Sequence, residues 1–178
     1  MRKLTRFVLY GTSLPLLTVA GVALGRWVTH EPAPHPVDFT ETDLIVGKDF
    51  PDTPLVEASG DTIASGALFS GGGRVILLID PSCPACTEAT KRWQRLIDAG
   101  TLGADVVIGI SDEEPEAIQA YRSKAGLSFA IHRDVANRFR NTFRPYEVVV
   151  GSSGVIRSAG GDAKARIDSK RVHRALEQ

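Results

Sequence analysis

Cysteine is scarce in this chain, with only two among 178 residues. Aromatic residues are also few, at 7%, while 43% of the sequence is hydrophobic, which fits one globular core at this length. No internal repeat or low-complexity segment is present, which excludes a repeat architecture. The composition therefore predicts a single compact domain.

An excess of either charge is absent too, since 21 Lys and Arg residues balance 21 Asp and Glu residues. The balance is uneven along the chain. Residues 1–26 contain four basic residues and no acid, which leaves 17 basic against 21 acidic residues beyond Arg26. This mildly acidic remainder has no basic stripe, which argues against a nucleic-acid-binding surface.

The N-terminus has a basic start followed by an uncharged stretch at residues 7–25. As a helix this stretch would rise about 28 Å, close to the roughly 30 Å thickness of the hydrocarbon layer. We expect residues 1–28 to form an uncleaved signal anchor, with the rest of the chain on the periplasmic or extracytoplasmic side. The alternatives are a signal removed near Gly25, after the small-x-small sequence Ala23-Leu24-Gly25, and a buried helix of a soluble core.

Three alternating prolines, Pro32, Pro34 and Pro36, lie in the segment 29–47. Alternating prolines favour an extended polyproline-like spacer. The globular domain is then expected at residues 48–178.

Within this domain, strand and helix signals alternate. The predicted elements are a hairpin around Ser59-Gly60-Asp61, a buried strand in GGGRVILLID, a helix from Pro84 closed by Gly100, a strand in ADVVIGI, a helix at 114–124, a strand in LSFAIHRD, a helical turn in VANRF, two strands in YEVVVGSSGVIRSA and a helix at about 163–176. This order predicts an α/β fold with a central mixed sheet and helices on both faces.

Both cysteines lie in DPSCPAC, residues 80–86, directly after the apolar run VILLI. A disulfide that closes a loop of about four residues stabilises a protein by roughly 2 kcal/mol, whereas one that closes a loop of about a hundred residues contributes nearly 5 kcal/mol. A purely structural disulfide is therefore a weak explanation for this pair. A closed zinc site needs four ligands, and this domain adds only His132 and His173, neither at ligand spacing. We therefore expect no metal and no cofactor beyond a redox-active disulfide.

Helix geometry favours a redox pair. If Cys83 is the N-cap, Pro84 is the first helical residue, and the free N–H groups of Ala85 and Cys86 point at the Cys83 sulfur. These donors and the positive end of the helix favour a thiolate, so Cys83 is the predicted nucleophile. Cys86 begins an apolar stripe and is predicted to be the buried, resolving thiol. The other members of that stripe are Ala89, Trp93, Leu96 and Ile97.

These residues resemble the thioredoxin fold and, within it, the membrane-anchored TlpA and AhpC/TSA-like redoxin group. The resemblance rests on KDFPDTPLVEASGDTI, on the strand leading into Cys-Pro-Ala-Cys, and on FAIHRDVANRF before RPYEVVVGSSGVIR. Over a few residues, IDPSCPAC is also similar to the MauD-type methylamine-utilisation accessory proteins. The resemblance implies a cis-proline facing the disulfide, at Pro145, and a preceding residue, Arg144, whose backbone contacts the substrate chain.

The chain departs from the family at three places. Pro81-Ser82 stand where a tryptophan commonly precedes the first cysteine. Leu77 replaces a buried acid, which leaves Asp80 either as the nearest proton acceptor for the second cysteine or as a cap of the strand end. Arg144 is charged where the family is usually apolar or small, so it is either a cation that stabilises the thiolate and makes the disulfide more oxidising, or a side chain in solvent.

The sequence thus predicts an enzyme: a membrane-tethered thiol-disulfide oxidoreductase acting on exported protein thiols, with a membrane or periplasmic redox partner. One alternative is a thiol peroxidase, although Asp80 would replace the threonine that such enzymes carry three residues before the peroxidatic cysteine. The other is a tethered binding or chaperone module that acts without turnover.

Overall fold

The computed structural model describes residues 44–161 and 169–177. This part of the chain forms seven strands, three α-helices and one 3-10 helix. The strands are β1 (Pro54–Val56), β2 (Thr62–Ala64), β3 (Arg74–Leu78), β4 (Val107–Ser111), β5 (Ala130–Asp134), β6 (Tyr146–Val150) and β7 (Ile156–Gly160). The α-helices are α1 (Pro84–Asp98), α2 (Pro115–Ala125) and α3 (Ser169–Glu177), and the 3-10 helix is Ser65–Phe69.

The predicted anchor at 1–28 and nearly all of the spacer at 29–47 lie outside the described residues. Among those that are described, no helix combines the length and the apolar character needed to cross a membrane. The anchor therefore stays a prediction.

One mixed sheet contains all seven described strands, in the order β2-β1-β5-β4-β3-β6-β7. Strands β3, β4 and β5 are parallel neighbours, and the remaining pairings are antiparallel. Because β3 is paired on both sides and covered on both faces, nearly all of it is apolar. The predicted hairpin, mixed sheet and central strand are confirmed.

Side chains of β3 alternate between two hydrophobic clusters. Val75 and Leu77 point to the face on which side chains of α1, α2 and α3 pack, which we call the helix face. Ile76 and Leu78 point to the opposite side, which we call the loop face. Because residues in a strand point alternately to its two sides, this five-residue strand belongs to both cores.

The loop face differs from the prediction of helices on both faces. Within the described ranges, the 3-10 helix and irregular segments cover this face. Three phenylalanine rings from these segments pack against one another. The Phe50 ring lies 5.6 Å from that of Phe69 and 5.5 Å from that of Phe139, measured between centroids. These rings supply the apolar cover that a second layer of helices would otherwise provide.

The predicted helical turn in VANRF is wrong, since the segment after β5 forms successive turns. Asn137 has φ 52°, a left-handed conformation that cannot continue a right-handed helix. The Asp134 carboxylate accepts a hydrogen bond from the Phe139 N–H at 2.9 Å, which takes a backbone donor that a helix would use. This turn brings Phe139 into the loop-face core.

The three glycines before β3 form a turn, as predicted, with Gly72 at φ 120°. Gly73 also lies against α3, because a Cβ built on it would be 2.5 Å from the Leu176 carbonyl oxygen and 2.8 Å from that of Val150. Only glycine fits between this helix and the sheet at that point.

Candidate active site

The reactive loop lies at the edge where β3 and β4 end and β6 begins. Leu78, the last residue of β3, is paired with Tyr146, the first residue of β6. Ile79 then donates its N–H to the Ile110 carbonyl of β4 at 3.0 Å. The segment from Asp80 to Cys83 therefore leaves the sheet beside the residues that precede β6.

Cys83 is the N-cap of α1, as predicted. Its backbone is extended, with φ −85° and ψ 117°, and Pro84 follows as the first helical residue. Its Sγ accepts a hydrogen bond from the Cys86 N–H at 3.4 Å, while Ala85 is exposed on the first turn. Cys83 is partly exposed and its thiol is free, so a substrate sulfur can reach it.

Cys86 is fully buried, with 0% of its surface exposed. The pKa of its thiol is raised from 9.0 to about 12, chiefly by burial and in smaller part by the nearby Cys83 and Asp80 side chains. The Asp80 N–H, which donates to Cys86 Sγ at 3.4 Å, acts in the opposite direction. At neutral pH the Cys86 sulfur is therefore a protonated thiol.

The helix behind Cys86 is fixed by apolar packing and a buried hydrogen-bond chain. Ala89 and Trp93 are each 1% exposed, which confirms the predicted stripe. Thr90 Oγ1 donates to the Cys86 carbonyl at 3.0 Å and lies 2.7 Å from the Tyr121 hydroxyl. Burial raises the pKa of Tyr121, so its hydroxyl remains protonated and joins α2 to the first turns of α1.

Asp80 caps the reactive loop. Its Oδ1 accepts hydrogen bonds from the Ser82 N–H and the Ser82 hydroxyl, both at 2.7 Å. Of the two roles that the sequence left open, this geometry favours the cap, because the carboxylate is engaged by Ser82 while the backbone of Asp80 contacts Cys86.

The peptide bond between Arg144 and Pro145 is cis, as the resemblance implied. Arg144 does not extend into solvent: its side chain is 11% exposed, and Nη1 lies 2.6 Å from Asp112 Oδ1. Nη1 also donates to the Ile79 carbonyl at 2.6 Å, and Nη2 to that of Phe139 at 3.4 Å.

The structure corrects one of the two sequence interpretations of Arg144. The solvent alternative is wrong because the guanidinium is mostly buried and bonded to Asp112, Ile79 and Phe139. The alternative of a cation acting on Cys83 stays a prediction, to which the structure adds an ion pair between Arg144 and the Asp112 carboxylate. Because β3 and β4 are parallel, their ends lie side by side, which brings Asp112 within reach of a group held at Ile79.

Sequence reasoning missed Asp112, Thr90 and Tyr121 as parts of this site. In the sequence, Asp112 belongs to the acidic run Asp112-Glu113-Glu114, which suits the start of a helix. No local pattern pairs it with Arg144, which lies 32 positions later. The spacing of α2 does place Tyr121 on an apolar face, but it gives no sign of the hydroxyl partner on another helix.

The two histidines considered as metal ligands, His132 and His173, lie in different environments. His132 is buried on β5, where desolvation lowers its pKa. His173 Nε2 lies 2.9 Å from the Thr101 carbonyl oxygen. Across residues 44–161 and 169–177, no group of three or more His, Cys, Asp or Glu side chains is arranged to hold a metal ion.

The topology, the cysteine pair at a helix N-terminus and the cis-proline beside it define a thioredoxin-like fold. Solved structures agree. A candidate protein disulfide isomerase of Bacteroides thetaiotaomicron is 17% identical, with a TM-score of 0.62 over 75% of this chain and 91% of its own. The thioredoxin domain of a thiol-disulfide oxidoreductase of Bacteroides vulgatus is 14% identical, with a TM-score of 0.60 over 74% and 98%.

A third similar structure is the peroxidoxin BcpB of Mycobacterium tuberculosis, 16% identical, with a TM-score of 0.57 over 74% of this chain and 95% of its own. No curated protein sequence gives a significant match. The AhpC/TSA family profile matches residues 46–159. The chain belongs to the AhpC/TSA family of thioredoxin-like redoxins.

Proposed function

We propose that this protein is an exported, membrane-tethered thiol-disulfide oxidoreductase that exchanges disulfides through Cys83 and Cys86. The observation that carries the proposal is the contrast between the two sulfurs. One caps a helix and is accessible, and the other is buried three residues later and protonated. The uncharged stretch at residues 7–25 supports the tether.

In the proposed reaction, the Cys83 thiolate attacks a substrate disulfide and forms a mixed disulfide, and one substrate thiolate leaves. Cys86 then loses its proton and attacks Cys83 Sγ, which releases the second substrate thiolate and leaves a Cys83–Cys86 disulfide. Two protein thiols are oxidised and one substrate disulfide is reduced, and the reverse sequence oxidises a substrate dithiol. Arg144 and Pro145 line the approach beside the reactive loop.

The test uses the full chain in detergent and a small protein disulfide as substrate. We expect Cys83→Ser to abolish exchange, because the nucleophile is lost. Cys86→Ser should instead accumulate a mixed disulfide through Cys83, visible by non-reducing mass spectrometry. Exchange at the wild-type rate in Cys83→Ser would refute the proposal.

A thiol peroxidase is the second candidate, favoured by the family match and by the fold shared with a peroxidoxin. There the Cys83 thiolate would attack a peroxide oxygen, giving a sulfenic acid and an alcohol or water, and Cys86 would condense with it and release water. The negative Asp80 carboxylate beside the loop disfavours this chemistry.

Two measurements separate the candidates. A peroxidase consumes peroxide faster than it reduces protein disulfides, and its Cys86→Ser variant accumulates a sulfenic acid that a dimedone probe labels. A binding or chaperone module would retain its partner when both cysteines are replaced by serine, whereas the oxidoreductase should lose covalent capture.

A further inference from the structure

A groove runs between α1 and α2 beside the reactive loop. Its volume is about 320 Å³, and its lining includes Pro81 of that loop, Lys91 of α1, and Ala117, Ala120 and Lys124 of α2. No acidic side chain lines it. We call this feature the lysine groove.

Helix spacing explains the shape of the lysine groove. On α2, Ala117, Ala120 and Lys124 recur at intervals of three and four residues and therefore share one face. Tyr121 lies on the same face, and its hydroxyl is held by Thr90 of α1, so the ring forms a buried floor. The small alanine side chains leave open space above that floor.

The two lysines are the charged groups of the groove, and both are exposed. Neither forms an ion pair with any residue in the described ranges. By contrast, Arg92, the next residue of α1, is paired with Glu147. The groove therefore presents two uncompensated positive charges beside a mildly apolar channel.

We propose that the lysine groove binds an acidic segment of the protein whose disulfide reacts at Cys83. The inference rests on the proposed function and adds the chemistry by which the partner is recognised. Carboxylates of an extended partner chain face Lys91 and Lys124 while its sulfur lies over the helix N-terminus. Opposite charges on the two chains steer the encounter.

The helix sets the position of the acids in the partner. Lys91 follows Cys83 by eight residues, which corresponds to about 12 Å along α1. An extended chain advances about 3.3 Å per residue. The acidic residues of the partner should therefore lie three to four positions from its reactive cysteine.

The test uses synthetic peptides with one cysteine joined by a disulfide to 2-mercaptoethanol. Each carries Glu, Gln or Lys at the third and fourth positions from that cysteine. The reduced full chain converts each into a peptide thiol and free 2-mercaptoethanol and becomes a Cys83–Cys86 disulfide. At low salt we expect the Glu peptide to react about tenfold faster than the Gln peptide, with the advantage lost at high salt.

Charge reversal supplies the decisive variants. Replacing both lysines, by Lys91→Glu with Lys124→Glu, should abolish the preference for the Glu peptide and create one for the Lys peptide. Arg95→Glu is the matched control, since Arg95 is an exposed cation of α1 that does not line the groove, and it should keep the wild-type preference. Equal rates for the Glu and Gln peptides, or equal losses in the control, would overturn the proposal.

A neutral substrate separates this inference from the proposed function. Reduction of bis(2-hydroxyethyl) disulfide requires the cysteines but no charge recognition, and all variants should perform it at the wild-type rate. Failure of the wild-type chain in that assay would overturn the proposed function. Normal reduction of bis(2-hydroxyethyl) disulfide without any preference among the peptides would overturn only the proposal that the lysine groove binds an acidic segment.

Discussion

Burial of the Cys86 thiol makes the stability of the reduced protein depend on alkaline pH. Its pKa rises from 9.0 to about 12 on folding. Above pH 9 the unfolded chain loses this proton while the folded chain keeps it, so stability falls as pH rises through that window. The slope is about 1.4 kcal/mol per pH unit, which gives a loss of about 2 kcal/mol by pH 10.5.

The assay is urea unfolding of the reduced full chain in detergent at intervals from pH 8 to 10.5. Cys86→Ala is the reference, because it lacks the titrating thiol while other alkaline groups, including Tyr121, titrate in both proteins. From pH 8 to 10.5 we expect the free energy of unfolding to fall by about 2 kcal/mol more in the wild type than in Cys86→Ala. Cys83→Ala should retain the wild-type slope. Parallel curves for the wild type and Cys86→Ala would refute the buried-thiol argument.

Three further substitutions test the packing around the site by chemical denaturation. Asp112→Asn leaves the mostly buried Arg144 guanidinium without its carboxylate and should cost about 2 kcal/mol, whereas an unchanged midpoint would show that the ion pair contributes nothing. Gly73→Ala places a Cβ against the backbone of α3 and should cost about 1 to 3 kcal/mol, while Gly66→Ala, which has open space, should be close to neutral. Tyr121→Phe removes one buried hydroxyl partner between α1 and α2 and should cost about 1 kcal/mol, and a stabilising effect would contradict the hydrogen bond described here.

Local patterns were sufficient to predict much of the sheet and the cysteine helix. The run VILLI predicts a strand covered on both faces, and a cysteine before Pro84 predicts a helix start, because each signal depends on adjacent residues. The burial of Cys86 followed from helical spacing alone.

Features set by distant parts of the chain were beyond sequence reasoning. Phe50 and Phe139 come from two irregular segments and Phe69 from the 3-10 helix, and no periodicity links them into one cover of the sheet. The ion pair of Arg144 with Asp112 was missed because Asp112 follows a different strand. Long-range polar pairing leaves no local pattern in the sequence.

The guanidinium of Arg144 joins three segments that are far apart in the sequence. It donates hydrogen bonds to the carbonyls of Ile79, after β3, and of Phe139, in the turn after β5, and it forms an ion pair with Asp112, after β4. The proline loop and the cysteine loop therefore share a common anchor. A single substitution at Arg144 would therefore disturb the cis-proline loop and the cysteine loop together.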